Sequence, residues 1–261
     1  MKLKVVVLCQ NDAFVIPKNI KLLSEMNEIE LVGIINIKHK GALENKKSLF
    51  LKGFGIFQVF KLALIQLLYK LIDFIDKLFL YKLNFFKSLQ SIAAISNSKY
   101  KIIENPNDKF FLEWLKAKNI ELIVSFSAPC IFQKDLLSLP SHGCINLHCS
   151  LLPKFPGLLP SFWTLFENEE YIGASVHAMD TKIDNGSILA QIAIKMPEKA
   201  TMFSVINITK TAGGHLMVKV IKDIIAGEVN YSVNNIPKNG YYHWPTLEQI
   251  HEFRRKGGRL I

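Results

Sequence analysis

Two side chains with complementary chemistry, Asn146 and His148, stand two residues apart in the apolar run Cys144-Ile-Asn-Leu-His148. In a strand, residues at that spacing leave the same face of the sheet, so an amide donor and an imidazole would meet around one reacting atom. An amide can stabilise developing negative charge, and an imidazole can move a proton. Polar groups at a buried strand end need partners or a purpose. The chain continues Cys149-Ser-Leu-Leu-Pro-Lys-Phe-Pro-Gly157, a loop with two prolines and a glycine placed where an α/β sheet builds its pocket. A second polar loop, Asp180 to Asn185, joins two further strand candidates, 173–179 and 186–196.

The remaining pattern predicts what positions these loops. Apolar runs at 4–9 and 30–36, with helical character from Pro17 to Met26 between them, give the strand-helix-strand rhythm of a parallel sheet. The rhythm resumes with a strand at 101–104, a helix at 108–118 and strands at 122–126 and 144–148. The order predicts a doubly wound α/β sheet with ligands beyond the carboxyl ends of its strands. A helix over 202–226 follows, and then a tail with a short basic helix at 247–256. The first turn, Cys9-Gln-Asn-Asp12, lacks the glycine-rich fingerprint of a dinucleotide or P-loop site. His177 sits in no motif and reads as a structural strand histidine, while His142, His215 and His243 read as ordinary residues rather than ligands. Phe162 and Trp163 suit a core or a surface facing a substrate equally well.

The apolar start of the chain is too short for a secretory signal, and Cys9, Cys130, Cys144 and Cys149 show no metal-ligand spacing and no disulfide framework. Reduced thiols in a cytoplasmic protein, with no metal, are the expectation. The net charge of +10 is local: Lys38 to Lys101 holds twelve lysines against Glu44, Asp73 and Asp76, giving +9. An acidic partner should therefore meet that segment. Within it, residues 48–98 interrupt the sheet pattern with Phe, Leu, Ile and Lys, and their uncharged runs are too short to span a bilayer. Two readings remain open: helices packed on the domain or on a second subunit, or an interfacial helix whose lysines meet anionic lipid. Gly53 and Gly55 place the start of the continuous helix near Ile56.

The segment Gly143-Cys-Ile-Asn-Leu-His-Cys-Ser-Leu-Leu-Pro153, with Gly157 beyond it, resembles the signature of folate-dependent formyltransferases. Met179-Asp-Thr-Lys-Ile-Asp-Asn-Gly186 resembles that family's second motif, whose later aspartate is Asp184 here. The likeness is strongest over 122–191 and absent from the lysine-rich segment. It implies a Rossmann-like, mostly parallel sheet of the formyltransferase type over 1–227, to which the residue pattern adds the helical insertion at 48–98 and a short extension at 228–261. It also implies transfer of a formyl group from 10-formyltetrahydrofolate to an amine, without a metal. Asn146 would bind the formyl oxygen, His148 would stabilise the tetrahedral intermediate and assist proton movement, and Asp184 would orient the imidazole or relay a proton. The folate would lie between the loop carrying Ala128, Cys130, Ile131 and Phe132 and the loop carrying Met179 and Asp180, with Ser150 and Leu151 on the pocket floor.

The tail after the 202–226 helix is too short for the extra domain with which methionyl-tRNA formyltransferases hold tRNA. The acceptor expected is therefore a small or membrane-proximal amine, an amino-sugar nucleotide above all. The basic insertion suits a diphosphate, an anionic membrane surface at which the protein would be peripheral, a homodimer contact, or tRNA phosphates. Hydrolysis of the formyl carrier and a non-catalytic folate- or membrane-binding module are the rival readings.

Overall fold

A computed structural model describes residues 2–12, 14–38, 43–83, 85 and 87–261, and the side chains of all of these except 43–47. Seven strands form one sheet: β1 (Leu3–Cys9), β2 (Ile29–Ile37), β3 (Lys99–Ile103), β4 (Leu122–Phe126), β5 (Cys144–His148), β6 (Tyr171–Ala178) and β7 (Ile188–Lys195). Their order is β3-β2-β1-β4-β5-β6-β7. The first five pair in parallel, and β6 and β7 are added antiparallel. The chain builds outward from β1 to β3, then returns to the other side of β1 with β4. That reversal makes the carboxyl ends of the central strands the natural place for a ligand. β1 is apolar without a break from Val5 to Cys9, and β4 is apolar but for the buried Ser125, because helices cover both faces of the sheet.

One face carries α1 (Ile16–Ser24), α4 (Leu89–Ile95) and α8 (Met202–Ala226), whose buried side chains meet Val5, Val7, Val124, Ile145 and Leu147. The other carries α5 (Lys109–Ala117) and α6 (Lys134–Leu137), packed on Val6, Leu8, Ile123 and Cys144. Ile145 and Leu147 thus point to one layer, and Cys144, Asn146 and His148 to the opposite side, as the two-residue period requires. α8 approaches the sheet closely through Gly213 and Gly214, where a Cβ would lie 2.5 Å from a methyl of Leu147 and 2.4 Å from the amide oxygen of Asn19. Thr201 and Ser204 form a capping box at its start, and Gly227 ends it in the left-handed conformation.

The insertion consists of α2 (Leu43–Phe54), α3 (Ile56–Leu78) and α4; residues 84 and 86 within it lie outside the described residues. α3 begins at Ile56, where the two glycines predict it. Phe54, Val59 and Leu62 enter a third apolar cluster with Phe155, Phe162, Trp163, Met202, Ile250 and Phe253. Phe162 and Trp163, on α7 (Pro160–Phe166), are therefore core residues. α9 (Leu247–Arg255) contributes Ile250 and Phe253 to the same cluster, and Arg254 donates to the Gly53 carbonyl at 2.9 Å.

Candidate active site

β5 ends at the proposed centre. His148 is 6% exposed, and its Nε2 lies 2.9 Å from the Phe155 carbonyl oxygen. A carbonyl only accepts, so Nε2 carries the proton of that bond. The other ring nitrogen, Nδ1, faces Asp184 Oδ2 at 3.3 Å. The three residues singled out from the sequence, Asn146, His148 and Asp184, are therefore brought together from the end of β5 and the loop between β6 and β7.

A fourth residue joins them. The antiparallel register places His177 of β6 opposite Asn146. Its Nδ1 donates to the Ala178 carbonyl at 2.7 Å, leaving Nε2 to accept from Asn146 Nδ2 at 3.1 Å. His177 Nε2 is also 3.5 Å from Asp184 Oδ1. His177, only 2% exposed, thus fixes which way the Asn146 amide points and lies between it and the carboxylate. Sequence reading set His177 aside as structural; the overlooked signal is a polar residue at a buried strand end beside a polar loop.

Asp184 is held from three sides. Its φ of +48° is left-handed, Gly157 N–H donates to Oδ2 at 2.7 Å, and Asn234 Nδ2 donates to its carbonyl at 2.7 Å. Burial pushes the carboxyl upward, but the field of His148, the contact with His177 and the Gly157 N–H outweigh it and hold its pKa at about 2. Gly157 itself has φ +103°, and a Cβ there would lie 2.3 Å from the Tyr242 carbonyl oxygen, so only glycine lets the two loops close. Tyr242 also exchanges backbone bonds with Pro156 and Leu158. The segment 228–261 therefore supplies Asn234 and Tyr242 to the walls of the site.

The residues expected around a folate divide into two kinds. Phe132 lies in the apolar layer on the α5 and α6 side of the sheet, and Ala128, Cys130 and Met179 pack against it. Phe132 is 1% exposed and belongs to the core, leaving its backbone and the exposed Ile131 for a ligand. Ser150, 2% exposed, is turned inward, donating to the Lys154 carbonyl at 2.6 Å, and its own carbonyl accepts from Ser175; it shapes the loop rather than the pocket floor. Leu151 packs over Gly173 of β6. Asp180 accepts from Lys182 N–H and Asn185 Nδ2, bracing the loop that carries Asp184. Cys149, beside His148, is no ready nucleophile, because burial pushes its thiol up. A surface hollow of about 970 Å³ lies near the amino ends of β1 and β2, away from the end where such sheets bind ligands.

The turn after β1 holds a feature absent from the motif reading. Asp12 Oδ1 accepts from the N–H groups of Phe14, Val15 and Ile16 at the start of α1, and Oδ2 pairs with Lys210 of α8 at 2.7 Å. Despite its burial, the carboxyl of Asp12 is held below its usual range by Lys210 and these N–H groups. Lys210→Met leaves a largely buried, uncompensated carboxylate, and we expect a loss of about 3 kcal/mol in urea unfolding. The double variant Asp12→Asn/Lys210→Met should recover part of that loss.

A family profile described as "Formyl transferase" matches residues 90–221. The bifunctional polymyxin resistance protein ArnA of Wigglesworthia glossinidia brevipalpis is 33% identical over 151 residues, covering 54% of this chain and 23% of that protein. A methionyl-tRNA formyltransferase of Lachnospira eligens is 33% identical over 126 residues, covering 48% of this chain and 40% of its own. The chain thus spans less than half the length of these curated relatives. Among solved structures, a sugar 3N-formyl transferase determined in the presence of dTDP and 5-N-formyl-THF superposes with a TM-score of 0.60 at 18% identity, covering 97% of this chain and 79% of that one. That superposition shows a shared fold.

Proposed function

Because this chain belongs to the formyl transferase family, we propose that it moves a formyl group from 10-formyltetrahydrofolate to an amine, with an amino-sugar nucleotide as the leading acceptor. The observation carrying this reading is the cluster Asn146–His177–Asp184–His148 at the carboxyl end of β5. The folate supplies an activated formyl group, and the chemistry of the donor set fits it. Asn146 has two amide N–H groups; one is committed to His177, and the other has no acceptor among the described residues. That second N–H is the donor for the formyl oxygen, where negative charge builds as the amine attacks.

Once the acceptor displaces the Phe155 carbonyl from Nε2, the neutral His148 ring carries its proton on Nδ1 as a donor to Asp184, and the freed Nε2 takes the proton lost from the amine, the resulting imidazolium stabilising the oxyanion. Asp184, held ionised, keeps the ring oriented. His177 is a positioning residue that acts through Asn146. Asn146→Ala should lower kcat by about 10²-fold, with KM for the amine nearly unchanged, because the lost bond is made to charge that develops only during reaction.

An amino-sugar nucleotide is supported by the near-complete superposition on a sugar formyl transferase seen with dTDP. Methionyl-tRNA is the second reading, supported by the 33% identity to an enzyme of that name. The test is incubation with 10-formyltetrahydrofolate and either amino-sugar nucleotides, methionyl-tRNA or buffer, followed by mass analysis of the acceptor. One added formyl group on a sugar amine is the expected result. Formylated methionyl-tRNA would replace the leading acceptor, and folate release with no formylated amine would point to hydrolysis.

A further inference from the structure

α3 is amphipathic twice over. Its inner side packs: Val59 and Leu62 join the cluster around Phe155, and Tyr69 meets the ring of Phe14 at 5.5 Å. Its outer side is equally apolar, and nothing among the described residues covers it. At about 100° per residue, Phe57, Phe60, Leu64, Leu67, Leu71 and Leu78 fall in one outward sector, and all are exposed, Phe57 at 82% and Phe60 at 64%. Apolar stripes of this extent on a surface mark interaction sites.

Charge identifies the occupant. Lys61 flanks the stripe along one edge, and Lys70 and Lys77 flank it along the other; all three are exposed. The acidic residues of α3, Asp73 and Asp76, are both turned inward. Asp76 is fully buried and accepts from the N–H groups of Leu83 and Phe85, and Asp73 has a buried carboxylate oxygen. The outer face therefore presents apolar side chains and cations without a counter-anion. A second copy seated on it by two-fold symmetry would set lysine rows against lysine rows. An anionic bilayer satisfies both features at once, acyl chains meeting the stripe and phosphates meeting the ammonium groups. No described helix is long and apolar enough to cross a membrane, so the helix lies in the interface.

We propose that α3 docks in the plane of an anionic lipid surface through this outer face. The docking rests on the helix alone and not on the formyl-transfer reading, so a silent folate assay leaves it standing. Because α3 shares its inner cluster with Phe155, whose carbonyl holds His148, the docked helix is joined directly to the loop that closes the candidate site.

The test is co-sedimentation of the full chain with phosphatidylcholine vesicles containing or lacking phosphatidylglycerol, beside sedimentation velocity without lipid. Binding that requires phosphatidylglycerol and weakens with salt is expected. Lys61→Gln/Lys70→Gln/Lys77→Gln should weaken it by about 100-fold, and Phe60→Asp/Leu67→Asp should abolish it with an unchanged thermal melt, since both side chains face outward. Equal binding to both vesicle types, or none to either, would overturn the proposal. So would a solution dimer dissolved by Leu67→Asp without vesicle binding, which would assign the face to a second copy.

Discussion

His148→Ala is expected to lower kcat for formyl transfer by about 10²–10⁴-fold, the range for loss of a positioned proton-transfer group. The ring sits at the end of β5 with one nitrogen on the Phe155 carbonyl and the other toward Asp184. Removing it takes away the ring between the Phe155 carbonyl and Asp184 that takes the proton of the attacking amine, a place that His177, committed to Asn146, does not fill. Single-turnover kinetics under saturating folate isolates the chemical step from binding. A near-wild-type rate there would show that the histidine holds the loop rather than takes part in the reaction. His148→Gln, whose Nε2 can still donate to the Phe155 carbonyl, separates the two roles: it should keep the melting temperature near that of the wild type and remain slow.

Asp184→Asn is the second large effect, and it has two signatures. The amide is uncharged and cannot stabilise a positive imidazole, so turnover should fall by about 10²–10³-fold. The same change alters acid stability. The folded pKa of Asp184, about 2, is below its ordinary value of 3.8, so its contribution to stability is present above the higher value and lost as pH falls through the lower. That lowering corresponds to about 2 kcal/mol at neutral pH. Unfolding free energies from urea titration should therefore separate wild type from Asp184→Asn by that amount near neutrality and converge as pH falls toward about 2. A difference that stays constant across the acid range would mean that the carboxylate is not held by His148, His177 and Gly157.

Much of this arrangement was legible in the residues. β4 and β5 lie at 122–126 and 144–148, where buried apolar runs bounded by polar turns place them, and α8 occupies its predicted 202–226. The shared face of Asn146 and His148 follows from strand geometry, whereas Asp184 is singled out only by the resemblance of its loop to the family's second motif. The rest depends on long-range proximity. His177 becomes Asn146's partner only through the antiparallel pairing of β5 and β6, a register that local pattern does not encode. Asp12 and Lys210 lie 198 residues apart, joined because Gly213 and Gly214 let α8 settle against α1 and β5. The same holds for Asn234 and Tyr242, which reach the site from a segment that reads as a tail. In the insertion, composition predicted helices, while the division of α3 into a packed face and an open one depends on which neighbours it meets.

The most direct test of the central claim is acceptor-dependent release of tetrahydrofolate from 10-formyltetrahydrofolate, measured by absorbance for the wild type, Asn146→Ala and Asp184→Asn in parallel. The account predicts release that rises with the concentration of an amine acceptor in the wild type and falls by about 10²-fold or more in both variants. Equal release from all three proteins would contradict it and move the chemistry away from the end of β5.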